Sequence, residues 1–384
     1  MNFIRTIRRG LVFPRHAARG KTQSARRSES NSLRYAILGA GSISRVHLND
    51  IAKKPGVTVV GIADPADPKT WRITADYATV PRFNEAERLL RETQPDLVSI
   101  CTPNKFHHKL TLLALSAGAH VVCEKPMAIT VAEAEEMEAA RTAAGKLGAI
   151  NFSYRNIAAF RFARELIANG ELGRILRVNA VYLQSFLGVP SKPWSWRNDV
   201  TLAGFGALGD LGVHMIDGVR FVSGLEFRRV VGLTQTLAPG RSDAAGAAHR
   251  VTTDTNAAFL AELTGGVVAS FETTQVAPGY GDFFRLEISG ERGTLAVHGE
   301  HPDEIWLRAG VSLTRYATWK TDIPLQKLPT DFAQRGAPAS PGAIVHAIRG
   351  ARVEFPTFAD GVSAQRVLGA ILDSMKTGAW VALG

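Results

Sequence analysis

The stretch Arg34-Tyr35-Ala36-Ile37-Leu38-Gly39-Ala40-Gly41-Ser42-Ile43-Ser44 decides the fold of this chain. Its first residues form a short apolar run that predicts a buried strand, and residues 42–54 are predicted to form a helix. Gly39 permits a tight turn, Gly41 lets a phosphate group approach the backbone, and Ser44 is small enough for the helix to pack closely on the strand. This order predicts a dinucleotide site, with the pyrophosphate at the helix N-terminus held by Gly39, Gly41, Ser42 and Ile43.

An acidic residue follows the second predicted strand. That strand covers residues 57–63 and is followed directly by Asp64, 23 residues after Gly41. A carboxylate at this point binds the ribose hydroxyls of the adenosine half and repels a 2′-phosphate. Neither Pro65 nor Ala66 supplies a positive charge, so the sequence favours NAD as the cofactor, with NADP as the weaker alternative.

Strands and helices alternate along the first part of the chain. Further apolar strands are predicted at 96–101 and 119–123, and helices at 84–93 and 106–117. Near-continuous apolar strands separated by helices are typical of a parallel sheet that is buried on both faces. Residues 33–150 are therefore predicted to form a Rossmann domain with a doubly wound parallel sheet. Cys101 and Cys123 end two of the strands, which indicates buried thiols rather than a disulfide or a metal site.

The pattern changes after Ile150. Turn signals at 264–266 and 290–293 separate long alternating or β-branched segments, which predict strands joined by hairpins. Residues 151–384 are therefore predicted to form an α+β domain, with a mostly antiparallel open sheet and helices on one face. The predicted strands cover 175–184, 229–236, 251–263, 267–274 and 283–288, and the predicted helices cover 157–169 and 359–376.

The net charge of +10 is concentrated in one short segment. Residues 1–34 hold nine arginines and lysines against the single acid Glu29, so the rest of the chain carries only +2. Residues 1–32 are predicted to be a disordered basic arm, an over-extended start, or, being rich in Arg and Ser, an organelle transit peptide. The nearly neutral body indicates no nucleic-acid partner, and no apolar run approaches the roughly 18 residues of a membrane span. We expect a cytoplasmic protein, with organelle targeting as the alternative.

Three further motifs narrow the interpretation. Thr102-Pro103-Asn104-Lys105-Phe106-His107 follows one predicted strand, and Glu124-Lys125-Pro126 follows the next. The third motif, Gly-Ala-Leu-Gly-Asp-Leu-Gly-Val-His-Met-Ile-Asp at 206–217, contains Asp210 and His214. Behind a Rossmann loop, these motifs resemble those of the glucose–fructose oxidoreductase, inositol dehydrogenase and rhizopine-catabolism (Gfo/Idh/MocA) family, and the resemblance covers nearly all of residues 33–384.

The resemblance implies roles for particular residues. Ligands bind beyond the carboxyl ends of strands in such sheets, where the first two motifs lie, so these motifs are expected near the nicotinamide. The lysine of the triplet, Lys125, is implied to contact both substrate and nicotinamide ribose. Besides the glycine loop and Asp64, the implied cofactor contacts are Thr102, Asn104, His107, Glu124 and Lys125. The implied substrate contacts are Tyr154, Arg155, Trp196, Arg197, Asp210 and His214.

The third motif carries the implied acid–base chemistry. Asp210 and His214 are four residues apart, so on a helix they would share one face. Oxidation of an alcohol needs a base for the hydroxyl proton, and histidine fills that role with little adjustment of its pKa. The resemblance implies that His214 is the acid–base group and that Asp210 orients its imidazole. Lys125, Asp210 and His214 are thus the expected catalytic residues.

The expected function is hydride transfer between a nicotinamide dinucleotide and a secondary hydroxyl or carbonyl of a sugar, cyclitol or related polyol. One departure from the family pattern is Gly204-Phe205-Gly206, where many relatives have three glycines. The phenyl ring of Phe205 either reshapes the pocket or only packs, so a cis-dihydrodiol of aromatic breakdown is an alternative substrate. A non-catalytic dinucleotide sensor on the same fold is a further alternative. The resemblance also implies a homodimer or homotetramer formed through the open sheet face.

Overall fold

A computed structural model describes residues 32–189, 192–237, 240–309, 325–329 and 340–384. The predicted basic arm, except for Ser32, lies outside these residues. None of the described helices is both long and apolar enough to cross a membrane. Within the same ranges, no cluster of three or more His, Cys, Asp or Glu side chains is placed to hold a metal ion.

The first domain is a six-stranded, wholly parallel sheet, as the sequence predicts. The strand order is β3-β2-β1-β4-β5-β6, with the glycine loop leaving the central strand β1. All four residues of β4 are buried, because helices cover both faces of the sheet. The strands are β1 Leu33–Leu38, β2 Val57–Ala63, β3 Arg82–Phe83, β4 Leu97–Ile100, β5 His120–Cys123 and β6 Gly148–Ile150. The helices are α1 Ser44–His47, continued as a π-helical turn Leu48–Ala52, α2 Ala86–Thr93, α3 His107–Ser116 and α4 Val131–Ala143.

The second domain is built on a nine-stranded sheet of order β16-β15-β14-β13-β7-β12-β11-β8-β17. Every neighbouring pair is antiparallel except β7 and β12, which run parallel, so the predicted mostly antiparallel sheet is confirmed. A separate hairpin pairs β9 with β10. The strands are β7 Ile175–Gln184, β8 Phe227–Gln235, β9 Gly240–Ser242, β10 Ala248–Arg250, β11 Asn256–Leu263, β12 Val267–Thr274, β13 Asp282–Gly290, β14 Gly293–His298, β15 Glu304–Ala309, β16 Leu325–Lys327 and β17 Val381–Ala382. The helices are α5 Ala158–Ala168, α6 Val200–Ala203, α7 Val213–Ser223, α8 Ile344–Ile348 and α9 Phe358–Thr377.

Side chains alternate between the two faces of this sheet. One face packs on α5, α7 and α9, so that every second residue of β11 and β12 is buried. The opposite face carries exposed apolar side chains at alternate positions of three adjacent strands. These are Leu233 on β8, Leu260 on β11 and Val268 on β12, whose exposed fractions are 64%, 45% and 59%.

Most predicted elements differ from those observed by at most two residues at their ends, and two differ in other ways. The helix predicted at 42–54 begins only at Ser44 and changes from α- to π-helical hydrogen bonding at Leu48. The strand predicted at 251–263 begins only at Asn256, because the preceding residues form a turn in which Asp254 accepts hydrogen bonds from the backbone of Gly206 and Leu208. Apolar alternation alone did not reveal that this aspartate is used as a cap.

Arg155, expected to contact substrate, instead lies in a buried ion-pair cluster. Its guanidinium donates to the carboxylate of Asp217 on α7 at 2.9 and 3.1 Å and lies 3.0 Å from that of Asp360 on α9. The rings of Phe152 and Phe221 pack on it. Only 5% of Arg155 is exposed, and its guanidinium joins the helices that support the sheet, so a substrate contact by this residue stays a prediction that its ion pairs do not favour.

Replacement of the main partner of Arg155 is expected to destabilise the fold. Asp217→Ala leaves the positive charge of the buried Arg155 guanidinium only partly compensated. The free energy of unfolding should therefore fall by about 3 to 5 kcal/mol. Urea denaturation followed by circular dichroism measures the loss. Asp373→Ala is the control, because it removes an exposed ion pair with Lys376 and should change stability little. An unchanged stability in Asp217→Ala, together with a weaker affinity for substrate, would return Arg155 to the substrate site.

Candidate active site

A cleft of about 800 Å³ opens beyond the carboxyl ends of the Rossmann strands and reaches the second domain. It runs from Asp64 at one end to Asp210 and Gln275 at the other. The structure brings most of the predicted site residues to this cleft. They are Gly39, Gly41, Ser42, Ile43, Asp64, Thr102, Asn104, Glu124, Lys125, Trp196, Arg197 and Asp210. The predicted residues His107, Tyr154, Arg155 and His214 do not line it.

The glycine loop has the shape that a bound pyrophosphate requires. Gly39 has a φ of +99°, and a Cβ there would lie 2.4 Å from the carbonyl oxygen of Cys101, so only glycine fits. A Cβ on Gly41 would meet no atom within 4 Å, which leaves this side of the loop open to the cleft. The backbone N–H groups of Ser42 and Ile43 have no acceptor among the described residues and precede α1. The loop therefore fits an anionic group at the start of the helix.

Asp64 lies at the end of the cleft where the sequence predicts the adenosine half of the cofactor, and it also braces the glycine loop. One carboxylate oxygen accepts a hydrogen bond from the backbone N–H of Ala40 at 2.7 Å, and the other accepts from Ala66 at 2.9 Å. Arg72 lines the same end, and its backbone N–H donates to the carbonyl of Ala40. The sequence analysis missed this arginine, because it follows Asp64 by eight residues and lies in no motif.

A charged contact spans the cleft at its other end. The ammonium of Lys125 lies 2.7 Å from both the backbone carbonyl oxygen and Oδ1 of Asp210. Gln275 donates from Nε2 to Oδ2 of the same carboxylate at 2.8 Å. Burial raises the pKa of Asp210, but the charges of Lys125 and Arg197 outweigh it and hold the pKa at about 2. Asp210 is therefore an ionised carboxylate with both oxygens in use.

The backbone before Asp210 is fixed by Asp254. Its carboxylate accepts hydrogen bonds from the N–H groups of Gly206 at 2.6 Å and Leu208 at 2.7 Å, and this caps the π-helical turn Leu208–Gly212. A Cβ on Gly206 would lie 1.7 Å from the carbonyl oxygen of Asp254, so no other residue fits there. The π-helical turn then leads directly into α7 and carries Asp210 towards Lys125.

Phe205 is almost fully enclosed, although it touches the wall of the cleft. Phe205 is 4% exposed. A Cβ added to Gly209 would lie only 2.4 Å from the Cβ of Phe205. The ring therefore packs against the start of the catalytic motif. Of the two expectations for this departure from the family pattern, packing accounts for most of its surface.

His214 lies one turn beyond Asp210, at the start of α7, and is 6% exposed. No hydrogen bond joins it to Asp210, whose oxygens are bound by Lys125 and Gln275. This conformation shows no hydrogen bond by which Asp210 orients the imidazole, and that role stays a prediction. Nδ1 is enclosed without a partner among the described residues, while burial and the nearby charge of Lys125 lower the pKa of His214 to about 3. The ring is thus neutral, and so low a pKa makes it a weak base in this conformation.

Tyr154 supports His214 from the side. The two rings meet edge to face, with centroids 5.0 Å apart. The hydroxyl of Tyr154 donates to that of Tyr182 at 2.6 Å, which in turn donates to Asp282 at 2.6 Å. This side chain, expected to bind substrate, is therefore occupied by a hydrogen-bonded chain behind the histidine.

His107 and Asn104 hold neighbouring loops together. The two ring nitrogens of His107 lie 2.9 and 3.0 Å from the carbonyl oxygens of Pro126 and Thr102, and its side chain is fully buried. A direct cofactor contact by His107 stays a prediction, because both of its ring nitrogens face backbone carbonyl oxygens here. Asn104 lines the cleft, but its amide donates to the carbonyl of Ala203 in the second domain at 2.7 Å.

Trp196 and Arg197 form one wall near Asp210. The guanidinium of Arg197 lies over the indole of Trp196 at 4.4 Å, and no carboxylate among the described residues pairs with it. Sequence reasoning found these two residues through the family resemblance. It missed Gln275 and Asp254, which lie just after β12 and just before β11 and belong to no distinguishing motif.

Comparisons with known proteins agree with this architecture. Residues 33–152 match the family model described as an oxidoreductase family with an NAD-binding Rossmann fold, and residues 160–296 match the GFO/IDH/MocA C-terminal domain. Levoglucosan dehydrogenase of Pseudarthrobacter phenanthrenivorans is 30% identical over 71% of this chain and 75% of its own length. D-glucoside 3-dehydrogenase of Escherichia coli is 35% identical over 51% of this chain and 55% of its own length.

Solved structures show the same fold. A crystal structure of an oxidoreductase domain protein from Kribbella flavida superposes with a TM-score of 0.80 at 30% identity, covering 92% of this chain and 100% of that one. Levoglucosan dehydrogenase in complex with NADH superposes with a TM-score of 0.77 at 26% identity, covering 92% and 99%. With its Rossmann domain, its open sheet domain and its sequence matches, this chain belongs to the Gfo/Idh/MocA family of oxidoreductases.

Proposed function

We propose that this enzyme transfers a hydride between NAD and a secondary hydroxyl or carbonyl group of a cyclic sugar or related polyol. The observation that carries the proposal is the contact of Lys125 with Asp210 at 2.7 Å, at the far end of the cleft from Asp64 and one turn before His214. Relatives named as levoglucosan dehydrogenase, D-glucoside 3-dehydrogenase and D-apiose dehydrogenase support the substrate class.

The chemistry assigns separate tasks to the residues of the cleft. Oxidation of a secondary alcohol sends a hydride from the carbinol carbon to the nicotinamide ring and leaves a ketone. The hydroxyl proton needs an acceptor, and we assign this role to the neutral imidazole of His214, which is 6% exposed and lies one turn beyond Asp210. Lys125 donates a hydrogen bond to the reacting oxygen and, with Asp210, fixes its direction. The imidazolium that forms is stabilised by the nearby carboxylate of Asp210.

The remaining wall suits a polyhydroxylated ring. The guanidinium of Arg197, which pairs with no carboxylate in the part of the chain that the structure describes, and the amide of Gln275 are hydrogen-bond donors close to Asp210. Trp196 presents apolar surface to the same end of the cleft. Several donors beside an apolar wall fit a sugar, whose ring has polar edges and apolar faces.

Removal of either proposed catalytic group should abolish most of the activity. His214→Ala or Lys125→Ala is expected to lower kcat by about 10²- to 10⁴-fold, because proton transfer or orientation of the reacting oxygen is lost. The assay follows the absorbance of reduced nicotinamide with a panel of sugars, sugar acids, cyclitols and cyclic dihydrodiols.

The affinity for NADH, measured by fluorescence titration, should stay within about threefold of the parent value, because the adenosine end of the cleft is untouched. His108→Ala is the control, since this partly exposed histidine pairs with Glu136 on the outside of α3. Parent-like turnover in both variants would exclude the catalytic assignment, and turnover of dihydrodiols alone would replace the sugar class.

We propose NAD rather than NADP as the cofactor. Asp64 places a carboxylate at the adenosine end, where it accepts ribose hydroxyls and repels a 2′-phosphate. Arg72 lies at the same end and works in the opposite direction, because a guanidinium attracts that phosphate. The carboxylate dominates because two backbone N–H groups fix its position, whereas the side chain of Arg72 is exposed.

Removal of the charge at position 64 should narrow the preference for NAD. Asp64→Asn keeps an acceptor for the N–H of Ala40 but removes the repulsion, and the ratio of NADPH to NADH dissociation constants is expected to fall by about tenfold. Arg72→Ala is the matched variant and should raise the same ratio. Fluorescence titration with each reduced cofactor measures both. Equal affinities in the parent protein would contradict the choice of NAD.

We propose that the open sheet face joins two copies of this chain. Leu233, Leu260 and Val268 form an apolar stripe across three strands, and no described segment covers them. The ion pairs Arg229–Glu262 and Arg177–Glu287 lie on the same face. A surface that is apolar at its centre and carries charges of both signs suits association with its own copy about a twofold axis.

A charge in the stripe should separate the copies. Leu233→Glu together with Val268→Glu is expected to convert the parent dimer or tetramer to a smaller species in light scattering after gel filtration. Leu237→Glu serves as the control, since this exposed leucine lies beyond the end of β8. A parent protein that is monomeric at micromolar concentration would refute the proposal.

A further inference from the structure

A buried chain of polar groups lies beneath the cleft, in a part of the Rossmann domain that the reaction itself does not use. His47, at the end of α1, is 3% exposed. Its Nε2 lies 2.7 Å from Oε1 of Glu124, and its Nδ1 lies 3.0 Å from Oγ of Ser99. The hydroxyl of Tyr35 donates to the same Oγ at 2.7 Å. The imidazole is thus held from both sides by hydrogen bonds.

Glu124 is the centre of this network. Besides His47, Asn151 donates to Oε1 at 2.5 Å, and the backbone N–H of Lys125 donates to Oε2 at 3.2 Å. Burial raises the pKa of Glu124, but the hydrogen bonds and charges of His47 and Lys125 outweigh it and hold the pKa at about 2. The carboxylate is therefore ionised, and Nε2–H of His47 donates to it whether or not the imidazole carries a second proton. An ionised carboxylate at this depth requires its donors, because loss of one leaves a charge uncompensated.

The network connects two functional parts of the molecule. α1 begins at the glycine loop, while Glu124 immediately precedes Lys125, whose ammonium meets Asp210 on the other side of the cleft. The Glu124 carboxylate accepts a hydrogen bond from the backbone N–H of Lys125, so a shift of this carboxylate removes one of the contacts that hold the lysine's backbone. The contact between His47 and Glu124 therefore joins the helix at the glycine loop to the segment that carries the lysine.

We propose that His47 is a positioning residue that places Lys125 through Glu124 and so couples the cofactor-binding helix to the catalytic lysine. The proposal rests on the proposed function, because Lys125 is the group that His47 positions. Misplacement of a reacting group by about 1 Å lowers rates by as much as 10²-fold, which sets the expected size of the effect. His47 itself does not line the cleft.

The test compares two replacements of His47. His47→Leu has similar bulk but no donor, and it is expected to lower kcat by about 10- to 100-fold. The NADH dissociation constant should remain within about threefold of the parent value. His47→Gln places an amide N–H near the position of Nε2 and should restore kcat to within about fivefold of the parent. Rates are taken with the panel sugar that gives the highest turnover and are divided by the active-site concentration from NADH titration.

The double variant separates positioning from general damage. If His47 acts through Lys125, His47→Leu in a Lys125→Ala background should cost less than about threefold, because the group to be positioned is gone. His120→Gln is the matched control. His120 starts β5, the strand that ends next to Glu124, and it accepts a hydrogen bond from the backbone of Leu147, but it makes no contact with Glu124.

A crystal structure gives a readout that needs no substrate. In His47→Leu the separation of Lys125 Nζ from Asp210 Oδ1 should exceed 3.5 Å, whereas His47→Gln and His120→Gln should keep the 2.7 Å contact. An unmoved lysine in His47→Leu, or equal costs of that change with and without Lys125, would overturn the proposal. If His47→Leu does not fold, a His47→Gln variant with parent-like Lys125 geometry but turnover below one-tenth of the parent would also overturn it. A parent protein inactive on the whole panel would refute the proposed function but leave the structural outcome readable.

Discussion

One ammonium–carboxylate contact governs the site of this protein. Lys125 leaves the end of a Rossmann strand, Asp210 stands in the second domain, and their 2.7 Å contact closes the cleft between the two. The contact is worth little by itself at a partly wetted surface, but here each partner is fixed by other groups. Glu124 accepts the backbone N–H of the lysine, and Gln275 donates to the free oxygen of the aspartate. The geometry of the site therefore depends on the groups that hold Lys125 and Asp210 in place, rather than on the strength of their ion pair alone.

Much of this arrangement could be predicted from sequence, because its causes are local. Gly39 needs a positive φ in a turn between strand and helix, and the apolar strands that alternate with helices fix a parallel sheet. The carboxyl ends of those strands then bring Asp64 and Lys125 to one cleft. The family motif supplied Asp210 and His214, whose spacing is helical in sequence, although the observed backbone passes through a π-helical turn between them.

The rest depends on contacts between residues far apart in the chain, which no local pattern records. Asp254 follows Asp210 by more than forty residues, yet its carboxylate caps the turn that carries Asp210. Arg155 is itself a predicted substrate contact, but its guanidinium pairs with the carboxylate of Asp217. His107 shows the same limit, because burial and two carbonyl oxygens account for both of its ring nitrogens. Residue type and motif position predict which side chains are near a site, whereas their hydrogen-bond partners decide which of them face it.

The cap by Asp254 divides the site into parts that are free to change to different degrees. Because a Cβ on Gly206 would overlap the backbone of Asp254, the turn before Asp210 accepts no larger residue at this position. The wall formed by Trp196 and Arg197 has no such constraint, since stacking rather than a buried hydrogen bond holds the guanidinium. The proposed catalytic groups and the proposed substrate-contacting wall therefore lie in separate segments of the chain. A new substrate range for this scaffold is therefore best sought by recombining the wall around residues 192–199 while leaving the capped turn untouched.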